Sequence, residues 1–204
     1  MKKLVILGTA LLALNAVASE VQIKSGYDFY RKFKAGSSDF SDDYELKHGP
    51  TLGLEYIVDN QGEFEWGVGA EYKLSSNSGK LKDKFNNKQF RSAPVYALGK
   101  FNLVTTQSGN DALYVLGRAG YNFAKETKNV NNDVKGGLYV AAGLGTEFGP
   151  VSLEALYEKA GFSVKEKGTK DRDSLDTFGV RLGYRFGQLK NDRGPKIVKE
   201  VVTV

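Results

Sequence analysis

Apolar and polar residues alternate with a period of two over eight stretches of the chain: Val21–Phe33, His48–Val58, Phe64–Ser75, Ala93–Val104, Ala112–Phe123, Gly137–Phe148, Val151–Gly161 and Asp176–Phe186. Such a period marks β-strands with two unlike faces. Each stretch is about ten residues or slightly more, the length a tilted strand needs to cross a hydrocarbon layer; strands of soluble domains are more often about five or six. The last stretch shows the faces most clearly. Phe178, Val180, Leu182, Tyr184 and Phe186 share one side, and Gly179, Arg181, Gly183 and Arg185 the other. The third sets Phe64, Trp66, Val68, Ala70, Tyr72 and Leu74 against Glu65, Gly67, Gly69, Glu71 and Lys73, and the sixth repeats the pattern. The seventh is irregular near Lys159, where a bulge or an early strand end is expected.

The connections alternate as well. Phe33 to His48, Ser76 to Ser92, Ala124 to Gly136 and Phe162 to Leu175 are long; Asp59–Gly62, Thr105–Asp111 and Gly149–Pro150 are short. This order predicts an all-β fold, an eight-stranded antiparallel up-and-down transmembrane barrel with short periplasmic turns and long extracellular loops.

Alternation alone does not say which face points inward, and a soluble lipocalin-like periplasmic barrel would put the apolar face around a ligand. Two observations favour charges inside. Glycines crowd the charged face (Gly26, Gly53, Gly67, Gly69, Gly120, Gly143, Gly145, Gly179 and Gly183), where they make room for long side chains and would only weaken a solvated strand. Aromatics gather towards strand ends, with Phe29, Tyr72, Tyr121, Phe123 and Phe178 near the long loops and Tyr56, Trp66, Phe101, Phe148, Tyr184 and Phe186 near the short turns, as in two interfacial girdles. The inward set then contains Asp28, Glu55, Glu65, Glu71, Glu147, Glu154 and Glu158, with Lys24, Lys73, Lys100, Arg118, Arg181 and Arg185 against them. An eight-stranded barrel is just wide enough for side chains to fill, so these near-cancelling charges are expected to form a paired network that plugs the lumen. A narrow ion path through the same charges is the alternative.

Composition narrows the chemistry. The 204 residues include 24 Gly, 11 Tyr and 12 Phe, suited to one β-rich domain. With no Cys and the single His48, thiolate nucleophiles, Cys-ligated metals and His-only zinc clusters are excluded, and no cofactor is expected. Met1-Lys2-Lys3, the apolar run Leu4–Leu14 and Ala16-Val17-Ala18 read as a cleavable signal peptide over residues 1–18, and no second stretch reaches the roughly 18 apolar residues of a spanning helix. Losing Lys2 and Lys3 lowers the formal charge from +5 to +3, too small a balance for a nucleic-acid partner.

The closing run Gly179-Val180-Arg181-Leu182-Gly183-Tyr184-Arg185-Phe186, with the turn Glu147-Phe148-Gly149-Pro150-Val151-Ser152-Leu153-Glu154, resembles the small bacterial outer-membrane β-barrel family that includes OmpA-type, opacity-type and porin-family barrels. The resemblance covers residues 19–187 and implies the outer membrane of a diderm bacterium. It further implies that Tyr184 and Phe186 occupy the place of the aromatic-ended signal read by the barrel-assembly machinery. Here residues 187–204 follow Phe186, a departure from the commonest form. One scaffold of this kind hosts structural, adhesive, pore-forming and enzymatic members.

Outside the barrel, the loop Ser76–Ser92 carries Lys80, Lys82, Lys84, Lys88 and Arg91 against Asp83, while Ser37–Lys47 carries Asp39, Asp42, Asp43 and Glu45. The basic loop has the chemistry to meet lipopolysaccharide phosphates or a host polyanion, although polar barrel loops are ordinary. A Ser-His-acid hydrolase would have to use His48, and no Ser lies in a nucleophile motif, so no enzyme is expected. Residues 188–204 form a basic periplasmic tail too short for a globular wall-binding domain. The expectation is a monomeric outer-membrane barrel with a structural or surface-interaction role. A small-solute porin is the first alternative and a soluble ligand-binding barrel the second.

Overall fold

In the computed structural model of the protein, the described residues are 20–34, 44–45, 48–59, 63–75, 90–106, 110–126, 133–166 and 169–186. They form strands β1 (Glu20–Lys34), β2 (Tyr44–Glu45), β3 (Gly49–Asp59), β4 (Phe64–Ser75), β5 (Phe90–Thr105), β6 (Ala112–Glu126), β7 (Asp133–Phe148), β8 (Val151–Glu166) and β9 (Thr169–Phe186). Each long strand pairs antiparallel with the next in sequence, and β9 returns to β1, from Val21↔Phe186 up to Lys34↔Ser174. The barrel is therefore closed, with no free edge along the wall. The two-residue β2 pairs with Lys32 and Phe33 of β1 above the point where β3 begins, so it prolongs the β3 position rather than adding a ninth stave. Eight strands make the barrel wall.

The turns at one end are short because their residues suit them. Gly149 has φ of 53°, the positive value that a two-residue hairpin asks of its first residue, and Pro150 follows with its φ fixed by its ring. The Gly149 amide donates to Asp111 Oδ1 at 2.9 Å, which ties this turn to the start of β6.

At the opposite end the strands run further than alternation suggests. The stretch Phe162–Leu175, read as a long loop, is mostly paired backbone: β8 and β9 continue their ladder from Gly161↔Ser174 to Glu166↔Thr169. Likewise Arg91, placed in a loop by the sequence pattern, lies in β5 opposite Leu74 and Lys125. The suspected bulge at Lys159 is absent, since β8 pairs with β9 without interruption and Lys159 stays exposed on the outer face. The irregularity lies across the ladder, where the β7–β8 register shifts between Gly136 and Tyr139.

Charge and grease sort by face. Ile23, Leu54, Trp66, Val95, Val115, Leu144, Leu153 and Leu182 are exposed on the outside, with Phe148, Tyr184 and Phe186 at the lower margin and Phe123, Tyr121 and Phe178 at the upper. Glu55, Glu65, Lys100, Arg118 and Arg181 are buried inside. This is the reverse of a soluble barrel and overturns the lipocalin-like alternative: no water-soluble protein gains from presenting a continuous apolar belt while burying its ions. Leu182, midway between Phe178 and Phe186 and beside Leu153 of β8, lies at the middle of that belt. Leu182→Arg is expected to cost about 2–4 kcal/mol when folding is measured in lipid vesicles. An unchanged urea midpoint would argue against lipid contact at this level.

Candidate functional site: the ion-paired lumen

The inward positions of β1, β3, β4, β6, β8 and β9 meet at mid-height around Arg118. Its guanidinium lies 2.7 Å from Glu55, 2.7 Å from Glu71 and 2.8 Å from Glu154, three carboxylates from three different strands. Lys24 reaches two of the same acids, Glu55 at 2.5 Å and Glu154 at 2.6 Å. Alternation is what brings them here: each is flanked by residues that point to lipid, so each has only the lumen left. Glycines provide the room. A Cβ at Gly69 would come within 2.8 Å of Glu55 Cγ, and one at Gly53 within 2.9 Å of Glu71 Cγ.

Above this hub, Arg181 contacts Asp28 at 2.9 Å, Glu158 at 2.8 Å and Glu71 at 3.2 Å, and Lys73 pairs with Glu158. Below it, Glu147 is shared by Lys100 at 3.2 Å and Arg185, and Arg185 also holds Glu20 at 3.1 Å. Glu65 accepts a hydrogen bond from the Asn102 amide at 2.9 Å. Every charge assigned inward by alternation lies in the lumen, and the pairs follow one another from a lower group, Lys100, Glu147, Arg185 and Glu20, to an upper one around Arg118 and Arg181.

Two members escape the sequence pattern. Arg31 pairs with Asp28 at 2.6 Å, yet strict alternation from Asp28 would turn it outward. The register between β1 and β9 shifts between Asp28 and Tyr30, so Phe29 and Tyr30 both face out and Arg31 swings in. Two adjacent aromatics on a lipid-facing strand were the available signal. Glu20, at the very start of β1, is the other, and no alternation precedes it to set its phase.

Apolar and aromatic side chains fill the rest of the lumen. Tyr96, Leu98, Tyr139, Ala141, Ala160, Phe162 and Leu175 pack into one cluster with Ile57, and Tyr114, Leu116 and Leu156 into another. Three tyrosines meet the cations. Arg118 lies 4.8 Å from the Tyr96 ring centre, Lys100 4.9 Å from Tyr114 and Lys73 5.8 Å from Tyr139. The Tyr96 hydroxyl donates to Glu55 at 2.9 Å and that of Tyr114 to Glu154 at 2.8 Å. Cations are thus held between carboxylates and ring faces, an arrangement whose worth rises as water is excluded.

The other candidate residues lie apart from the lumen. Tyr184 and Phe186 are on the lipid side of β9 with ring centres 4.8 Å apart. His48 is exposed outside the barrel, 6.3 Å between ring centres from Tyr27, away from the interior acids. Lys80, Lys82, Lys84 and Lys88, the signal segment 1–18 and the tail 188–204 fall outside the described residues.

Three solved structures are similar in fold. Ail, the attachment invasion locus protein of Yersinia pestis, is 21% identical, with 83% of this chain and 100% of that one covered and a TM-score of 0.49. The outer membrane protein OprG from Pseudomonas aeruginosa is 14% identical over 84% and 98%, at a TM-score of 0.45. Neisserial surface protein A is 16% identical over 81% and 96%, at a TM-score of 0.44. No curated protein matches the sequence. Residues 5–186 match the family described as the outer membrane protein beta-barrel domain, a span that takes in every stave of the barrel. The closed eight-stranded barrel accords with this match, and the chain belongs to that family, as a β-barrel of the bacterial outer membrane.

Proposed function

We propose that this protein is a non-conducting barrel of the outer membrane that works as a structural or surface-interaction element. One observation supports this above others: the lumen holds ion pairs at every level, with Arg118 bound to three carboxylates at its centre and tyrosines against the cations. A conducting pore needs mobile water along its axis, whereas here the buried charges are held by fixed partners, opposite charges for nearly all of them and the Asn102 amide for Glu65. On this reading the wall is a rigid frame and recognition belongs to the loop ends, including the segment with Lys80, Lys82, Lys84 and Lys88. Tyr184 and Phe186 serve as the assembly signal and the protein acts as a monomer. The reading includes no catalytic step, since His48 faces outward with no carboxylate in reach among the described contacts.

The test is electrical. The refolded protein, shown folded by its heat-dependent mobility on gels, is expected to stay silent in planar bilayers. Discrete openings that change when Glu71 or Arg118 is neutralised would replace this reading with a small-solute pore.

A further inference from the structure

Among the described residues the outer wall carries no charged side chain from the lower girdle upward until one short row near the top of β1, β9 and β8. There Tyr30, Phe178 and Tyr157 lie side by side in register, all exposed. Two residues higher on each strand, on the same face, come Lys32, Asp176 and Lys159. Asp176 is buried between its neighbours, Lys32 is half-buried, and Lys159 is exposed, with exposed Val140 of β7 on its other side. Lys159 has no ion pair or hydrogen bond among the described residues, which sets it apart from the paired lysines of the lumen.

Height decides what an outward lysine meets. Lys159 is eight residues beyond Val151 at the short turn. At about 3.3 Å per residue and a tilt of about 40°, its Cα stands roughly 20 Å above that turn, near the top of an apolar band about 25 Å tall. The flexible stem carries the ammonium further up, into the headgroup layer. The outer leaflet there presents anionic phosphates, and the row of two lysines around one aspartate carries a net charge of +1 above a floor of aromatic rings.

We propose that Lys159, with Lys32 across Asp176 and Tyr157 beneath, is a binding site for a phosphate group of the outer-leaflet glycolipid, lipopolysaccharide. The aromatic row sets the depth of the barrel, and the unpaired ammonium takes the phosphate at that depth. Asp176 limits the charge of the row and spaces the two lysines on either side of β9. This site is on the membrane wall, on strands other than the β4 and β5 that flank the basic loop.

The experiment uses the refolded protein in detergent, titrated with phosphate-bearing lipopolysaccharide or with the same lipid after enzymatic dephosphorylation, and followed by native mass spectrometry. The phosphate-bearing form is expected to bind more tightly. Lys159→Gln should weaken that binding about fivefold, the value of one basic residue at an anionic membrane surface, while Lys159→Arg retains it. In the wild type, amine acylation of Lys159 should slow with the phosphate-bearing lipid and not with the dephosphorylated one, a readout that requires no variant to fold. Equal affinity for the two lipids, unprotected Lys159, or wild-type binding by Lys159→Gln would overturn the proposal.

Discussion

Arg118→Met is expected to destabilise the barrel by about 3 kcal/mol, read as a lower urea midpoint in vesicles and a lower temperature for the gel-mobility shift. Arg118 is 3% exposed and contacts Glu55, Glu71 and Glu154. Removing it leaves three carboxylates facing one another across a narrow lumen. Some compensation remains, since Lys24 still holds Glu55 and Glu154, and Arg181 still holds Glu71. That is why the lower end of the range for a broken buried pair applies. Methionine fills most of the vacated volume, so the loss reports charge more than packing. Adding Glu154→Gln to the variant should recover part of the stability, because it removes one uncompensated charge where the cation used to be. A variant with wild-type stability, or a double variant that merely sums the two single ones, would mean that water already screens the hub, and the closed-lumen reading would fall with it.

The parts of this fold legible in the sequence are those where lipid and lumen impose opposite demands. Between the girdles each residue faces one or the other, so Phe178 to Phe186 can be read almost letter by letter, and so can the placement of Glu55, Glu71, Arg118, Glu154 and Arg181. Above the apolar band the sequence turns polar at almost every position, as from Ser163 to Ser174, and the contrast between faces vanishes. Phe162–Leu175 therefore reads as a loop although its backbone carries the β8–β9 ladder to Glu166↔Thr169, and Arg91 is misplaced for the same reason. A second failure is one of phase. The bulge at Phe29 and Tyr30 changes the parity of β1, and period-two reading then assigns Arg31 to the wrong side. The third is chemical: where the lumen itself is apolar, at Leu98, Leu116 and Leu156, both faces of the strand are greasy and the contrast that defines inside is lost. The ion lattice was the visible half of the plug, and the tyrosine and leucine half was not.

Two glycines three residues apart on β6 should respond to alanine in opposite ways. Gly120 points inward where β6 crosses Tyr96 of β5, and a Cβ there would lie 2.0 Å from the Val95 carbonyl oxygen and 2.6 Å from Tyr96 Cα. Both are backbone atoms of the neighbouring stave, so relief requires β5 and β6 to part where Tyr96 supports Glu55 and Arg118. Gly120→Ala is accordingly expected to abolish or severely slow refolding, with the heat-shifted gel species largely lost. Gly117 faces lipid, and a Cβ there would meet only the Ala141 carbonyl oxygen at 4.0 Å. Gly117→Ala is expected to fold as well as the wild type or gain up to about 0.5–1 kcal/mol, because the unfolded chain loses backbone freedom. The contrast tests the register more sharply than either variant alone, because a slip of one residue would exchange the two environments. Equal behaviour of the two variants would show that β6 is not seated against β5 as Gly120↔Tyr96 and Gly117↔Gly99 require. It would also dissolve the contact between Tyr96 and the Arg118 hub, because the clash at Gly120 and the packing at Tyr96 depend on the same crossing.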